Sequence, residues 1–428
     1  MNKSFRRAVC AMLSAAMLIG VCACGEKTTN GLSGHTTDLM ANVKPSANAL
    51  SFKKESGLEQ TFEVEYRRFA FRLFSLCTKR DSSKENTLVS PLSVMTALAM
   101  TANGAQDNTL TEMLDAMNGK KGLDLSQLNQ YLGAYISRLP SEKKARFASA
   151  NSIWVKNGAI DVRKEFLQTN ADYYGADVFQ SKFDEKTLGD INQWVSDNTD
   201  KMLPKILDEI SDSAVLYLIN ALSFDAEWKR IYSEDDVWDG EFTDIDGEIQ
   251  TVTMMGSTEN GYLHDGKAKG FIKPYAAGYS FVAMLPDEGV SLDEYIEKMP
   301  SSGLFEQIRK ADREPVMARI PKFNAKYSTE LNDVLKAMGM NDPFDPENAD
   351  FSGMAAVNKG ELYINRVIHK TAIQVDERGT KAGAATAIEM KTNGALLNAV
   401  ILDRPFVYMI IDDQSCLPIF IGQVNHIE

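Results

Sequence analysis

Residues 376–391, Asp376-Glu-Arg-Gly-Thr-Lys-Ala-Gly-Ala-Ala-Thr-Ala-Ile-Glu-Met-Lys391, decide the fold. From Thr380 onward the even positions are Thr380, Ala382, Ala384, Thr386, Ile388 and Met390, while Lys381, Glu389 and Lys391 all fall on odd positions. A period of two with the charges on one face is the pattern of a half-buried strand. Yet alanine and glycine are depleted from strands that form on their own propensity. The stretch therefore reads as a strand built to join a sheet that it does not itself nucleate.

Blocks on either side point the same way. Upstream, Asn86-Thr-Leu-Val-Ser90-Pro91-Leu-Ser93 runs into Ala97-Leu98-Ala-Met100 and Gly104-Ala105, followed by Asn151-Ser-Ile-Trp154, Ile191-Asn192-Gln-Trp194-Val195, and Asn220-Ala221-Leu-Ser-Phe224 with Trp228. The last third adds Leu335-x-x-Met338-Gly339-Met340, Ala349-Asp350-Phe351-Ser352-Gly353-Met354, His369-Lys370, Arg404-Pro405-Phe406 and Ile419-Phe-Ile-Gly422. This ordered series resembles the serpin family over about residues 59–428. Two blocks depart from the family pattern: Thr199-Asp200-Lys201 stands where Thr-x-Gly is usual, and Asp225-Ala226 where Lys-Gly is.

The resemblance implies an α+β serpin fold with a large central sheet, further sheets and an exposed reactive loop at about 377–404. It implies no cofactor and no metal. A serine protease would attack the loop as substrate and form an acyl-enzyme. The loop's N-terminal half would then insert into the central sheet and carry the protease along, a strand addition within one chain. About ten new ladder hydrogen bonds at ~1 kcal/mol each, with a few kcal/mol from burying Ile388 and Met390, total on the order of 10 kcal/mol. That rivals the whole stability of a domain, so the uncleaved form is expected to be held by a kinetic barrier.

By the same resemblance the hinge is Glu377, Gly379, Thr380, Ala382, Ala384 and Thr386. Ser90, Ser93, Asn220 and His369 would form a hydrogen-bonded cluster beneath the middle of the sheet, and Trp228 would lie at its top. The inward hinge positions are small or neutral, as fast insertion requires, and Gly379 supplies backbone freedom. Family spacing puts the scissile bond at Asn393-Gly394, with Thr392 and Ala395 as neighbours. Elastase-like proteases fit Thr392 or Ala395, a trypsin-like enzyme would use Lys391, and an asparagine-specific cysteine protease fits Asn393. The competing reading is a non-inhibitory binding or folding-assistance protein on the same fold. A monomer is expected.

The 428 residues are 44% apolar, ample for a large core. The formal charge of −13 is deepened by removing the first 23 residues, which hold Lys3, Arg6 and Arg7 but no acid. So acidic a surface argues against nucleic acid as the main partner. Residues 1–23 read as an export signal with an apolar run too short to span a bilayer. Val21-Cys22-Ala23-Cys24 resembles a bacterial lipobox, with Cys24 the acylated residue that anchors the protein at the cell surface or in the periplasm. Residues 24–58, rich in Thr, Asn, Ser and Gly, read as a flexible tether, and one domain is expected over 59–428.

Helical spacing begins near Thr61, and recurs over 191–207, 292–311 and 326–339. Val215–Ile219, Phe281–Leu285, Val407–Ile411 and Ile419–Ile421 read as strands buried on both faces. Cys77 and Cys416, the cysteines of the mature body, allow one disulfide. Ser141-x-x-Lys144, Ser196-Asp197-Asn198 and Lys391-Thr392-Asn393 approximate the motif set of penicillin-recognising hydrolases. Ser141, however, follows Pro140 in a charged run, where that nucleophile should open a buried helix.

Overall fold

The computed structural model describes residues 32–80, 84–142, 144–158, 160–199, 201–211, 213–301, 303–310, 314–380 and 398–427. In chain order the strands are β1 (Thr37–Asp38), β2 (Thr87–Val89), β3 (Ala145–Lys156), β4 (Asp177–Ser181), β5 (Leu216–Glu227), β6 (Val237–Thr243), β7 (Ile249–Asn260), β8 (Tyr262–His264) and β9 (Ala268–Pro274), then β10 (Tyr279–Pro286), β11 (Pro315–Pro321), β12 (Phe323–Glu330), β13 (Arg366–Val375), β14 (Gly379–Thr380), β15 (Asn398–Ile401), β16 (Phe406–Asp412) and β17 (Pro418–Val424). The α-helices are α1 (Ser56–Arg80), α2 (Pro91–Ala102), α3 (Asp107–Asn118), α4 (Leu125–Arg138), α5 (Lys164–Tyr174), α6 (Glu185–Asn198), α7 (Leu292–Lys298), α8 (Leu304–Lys310) and α9 (Asn332–Ala337).

Three sheets organise these strands. The central sheet has the order β1-β4-β3-β5-β14-β13-β12, a second runs β2-β17-β16-β10-β9-β8, and a third runs β15-β11-β7-β6. In the second sheet β10, β16 and β17 are buried along their whole length, as their uninterrupted apolar runs require. Between the sheets lies α2, every residue of which is buried and which packs against β3, β5 and β17. It carries no charged residue, and its few hydroxyls are buried with the rest, as in a core helix. Ser90 caps it, accepting from the Ser93 N–H, and Pro91 opens the first turn, where a missing N–H costs nothing.

The opposite face of the central sheet is covered by α6. A capping box of Asp184 and Thr187 starts this helix. It lays Ile191, Trp194 and Val195 on a cluster that includes Trp154, Phe179 and Tyr217. Trp154 and Phe179 have ring centres 4.4 Å apart.

Several expectations need correction. Residues 32–58 are not simply a tether: β1 pairs with β4, and α1 starts at Ser56 rather than near Thr61. The Asp190 carboxylate draws this segment in, accepting from the Ser33 N–H and hydroxyl at 2.7 Å each and from the Thr36 hydroxyl at 2.5 Å. The helical reading of 191–207 holds only to Asn198, and that of 326–339 only from Asn332. Residues 326–330 are instead the end of β12, whose alternation of buried and exposed positions continues to Ser328. The 292–311 region is two short helices rather than one. Cys77 and Cys416 are buried thiols not bonded to one another.

Candidate functional site

The root of the expected loop is already part of the central sheet. After β13 the chain turns through Asp376–Arg378 and comes back as β14, with Thr380 opposite Val375 on one side and Ala226 on the other. The Asp376 carboxylate shapes the turn, accepting from the N–H groups of Arg378 at 2.9 Å and Gly379 at 3.3 Å. Gly379 has φ of 154°, and a Cβ there would lie 2.0 Å from the Ala226 carbonyl oxygen, so only glycine fits.

Aromatic residues following β5 hold the turn from outside. The Trp228 backbone N–H donates to the Arg378 carbonyl at 2.8 Å, and that of Tyr232 to the Glu377 carbonyl at 3.0 Å. The Trp228 indole N–H reaches the Asp376 carbonyl at 2.9 Å. Trp228 stacks on Tyr275, ring centres 4.4 Å apart, and the Tyr275 hydroxyl is 2.8 Å from the buried Thr380 hydroxyl. Glu377 pairs with Lys322 at 2.6 Å, and this hydrogen bond holds its carboxyl below the usual range.

Lower down, where no strand intervenes, β5 and β13 pair directly and parallel from Tyr217/Arg366 to Ser223/Ala372, with Asn220 opposite His369. His369 is wholly buried, and burial pushes its pKa down to about 3. Its Nε2 accepts from the Ser90 backbone N–H at 3.1 Å. That leaves the proton on Nδ1, which donates to Asn220 Oδ1 at 2.7 Å. The Asn220 amide donates in turn to the Ser93 hydroxyl and, at 2.5 Å, to Asn151 Oδ1, while Ser93 donates to Asn151 at 3.1 Å. Such a network satisfies its own polar groups. It holds a neutral imidazole whose hydrogen-bond partners are the Ser90 backbone and the Asn220 amide, and so joins β5 to β13.

The structure thus brings together Ser90, Ser93, Asn220 and His369, and separately Glu377, Gly379, Thr380 and Trp228. Ala382, Ala384, Thr386, Lys391, Thr392, Asn393, Gly394, Ala395 and Cys24 lie outside the described residues. Asn151, Tyr275, Tyr232 and Lys322 were not foreseen as site residues. Asn151 stands inside a block whose pattern was evident, whereas nothing in the sequence sets the other three apart. The hydrolase reading fails on geometry. Ser141 is exposed in the link between α4 and β3 and heads no helix, and Lys144 pairs with Glu227 at 3.1 Å.

Comparison with known proteins places this geometry. The family model described as Serpin (serine protease inhibitor) matches residues 65–427. Leukocyte elastase inhibitor A of Mus musculus is 29% identical over 373 residues, covering 83% of this chain and 97% of the relative. A serine protease inhibitor of Cyanea capillata is 28% identical, covering 80% and 92%. Among solved structures, the thermophilic serpin tengpin in its native state is 42% identical, covers 92% of this chain and all of that one, and superposes with a TM-score of 0.84. Its latent state gives 0.75 at 43% identity, covering 88% and 100%. Human thyroxine-binding globulin, at 23% identity and a TM-score of 0.78, shares the fold. A match that runs through nearly the whole body, on a central sheet whose strands part at the top to admit Gly379–Thr380, makes this chain a member of the serpin family.

Proposed function

We propose that the protein is a suicide-substrate inhibitor of serine proteases, elastase-like enzymes first and cysteine proteases second, acting by loop cleavage, acyl-enzyme trapping and insertion. The observation that carries this reading is the two-residue strand β14, a first step of insertion with its register already set. Continuing that register two residues at a time would set Ala382, Ala384 and Thr386 opposite Phe224, Leu222 and Asn220. Each is small, and each would share the buried face of Thr380. Thr386 would meet the place where Asn220 and His369 now bond to each other, so insertion requires that bond to open. The cluster therefore acts as a clasp whose neutral, self-satisfied hydrogen bonds can be exchanged for bonds to the incoming strand without stranding a charge.

Departure of the loop as an acylated strand outruns ester hydrolysis only if insertion is fast, and small side chains serve that race. The elastase preference draws support from Thr392 and Ala395, which suit a shallow pocket, and from the mouse relative named for leukocyte elastase. Incubating the chain with pancreatic-type elastase, chymotrypsin-like and trypsin-like proteases and an asparaginyl endopeptidase tests the proposal. A band stable to denaturation at the summed masses is expected, with a released peptide starting near Gly394. Loop cleavage by all four without any covalent band would leave the non-inhibitory reading.

The proposal includes location. With Cys24 acylated, the inhibitor would sit on the bacterial cell surface or in the periplasm, as a monomer intercepting proteases at the membrane. Cys24→Ala should move the protein from the membrane fraction to the soluble exported fraction; unchanged membrane retention would count against the anchor.

A further inference from the structure

A buried ion pair lies directly behind the aromatic residues that hold the loop root. Lys273 of β9 and Glu259 of β7 meet at 2.7 Å, with side chains only 1% and 8% exposed, and so join the second sheet to the third. The Lys273 ammonium lies 4.2 Å from the ring centre of Tyr232 and 5.2 Å from that of Trp228. The Ser257 hydroxyl donates to Glu259 at 2.6 Å, and the Arg230 carbonyl lies 3.4 Å from the ammonium.

Stability alone does not explain such an arrangement, because a buried ion pair is commonly no better than well-packed apolar residues of the same volume. What the cation does is fix two ring systems at once, since it is attracted to both faces. Those rings belong to Trp228 and Tyr232, the residues whose three N–H groups take the carbonyls of Asp376, Glu377 and Arg378. With the rings fixed, Thr380 stays paired between β5 and β13, and insertion only has to propagate. With the rings loose, the root must first re-form its pairing while the acyl-enzyme is free to hydrolyse.

We infer that Lys273, held by Glu259, is a positioning residue that sets the rate of loop insertion through Trp228 and Tyr232. The inference rests on the inhibitory reading for its functional consequence and on the root geometry for its structural one. The two are tested separately in the full chain with Lys273→Met, Glu259→Leu and the double variant. The first readout is the number of inhibitor molecules consumed per protease trapped. The second is amide hydrogen exchange across 376–380 in protein that has met no protease.

Lys273→Met is expected to slow insertion relative to ester hydrolysis about fivefold, the effect of weakening the cation–π hold on Trp228 and Tyr232, so that the consumption in excess of one inhibitor per protease rises about fivefold, and to speed exchange at the root by a similar factor. Glu259→Leu should do the same. The double variant leaves no unpaired buried charge, so it regains the melting temperature lost by the single variants, yet it keeps the raised consumption and the fast exchange. Wild-type consumption and protection in the double variant would overturn the inference and leave the pair as a link between sheets. Should the wild type trap no protease, the inhibitory reading fails by itself and exchange decides: faster exchange in the variants upholds the positioning of the root, and unchanged exchange overturns it.

Discussion

His369 joins two strands through a neutral ring, and its pKa of about 3 ties that joint to pH. In the unfolded chain the imidazole takes a proton below about pH 6.5, while the folded one does not until about pH 3, so the unfolded state binds more protons between the two. Stability therefore falls as pH falls through that window, by roughly 3 kcal/mol at about pH 4.5 and up to roughly 5 kcal/mol in full. Replacing the ring by an amide, His369→Gln, should flatten this dependence; a denaturation midpoint that tracks pH as steeply in the variant as in the wild type would refute the assignment. Thr380 is the residue on which the proposed insertion turns. It is buried against Tyr275, where an unpaired guanidinium would cost several kcal/mol. Thr380→Arg should abolish the covalent complex while leaving the loop cleavable, which a gel of the elastase reaction would read directly. Retention of full trapping would defeat the insertion argument.

The elements of the site were legible in the sequence to different depths. Strict alternation from Thr380 declared a strand, and the structure shows its first residue seated between β5 and β13. The buried runs at 281–285, 407–411 and 419–421 appear inside β10, β16 and β17, because a strand covered on both faces leaves no polar positions to confuse the pattern. By contrast, 326–339 read as one helix because the tail of β12 and the short α9 abut across Leu331, blurring two periods into one. The structure of residues 32–55 was hidden for another reason. It is held by a two-residue pairing with β4 and by hydrogen bonds that include those from Ser33 and Thr36 to Asp190, and so short a strand and side-chain bonds across that sequence distance leave no periodic trace. The Lys273–Glu259 pair is equally invisible, since it joins strands of different sheets. At the scale of the element, β14 depends on its glycine. Gly379→Ala would drive a methyl into the Ala226 carbonyl, and should unseat the strand, expose 376–380 to proteolysis in the native protein and raise the inhibitor consumed per protease trapped. Native-like protection of that segment in the variant would show that β14 forms without the close approach.

Considered as a whole, the molecule holds β5 and β13 together by a parallel ladder, which the proposed insertion would replace. Seven residue pairs, Tyr217/Arg366 to Ser223/Ala372, hold β5 to β13, and on the proposed mechanism the loop supplies the strand that takes their place. Loop cleavage should therefore raise the melting temperature by on the order of 10–20 °C, given on the order of 10 kcal/mol gained and the size of the body. An unchanged midpoint in loop-cleaved protein would mean that the loop stays outside. The pairing of β14 carries one more consequence. It runs antiparallel to both of its neighbours, so each step of its extension exchanges one parallel ladder for two antiparallel ones. The backbone amide vibrations are sensitive to that change of strand direction, and an infrared spectrum taken before and after cleavage would register the seam's reversal with no probe attached to any side chain.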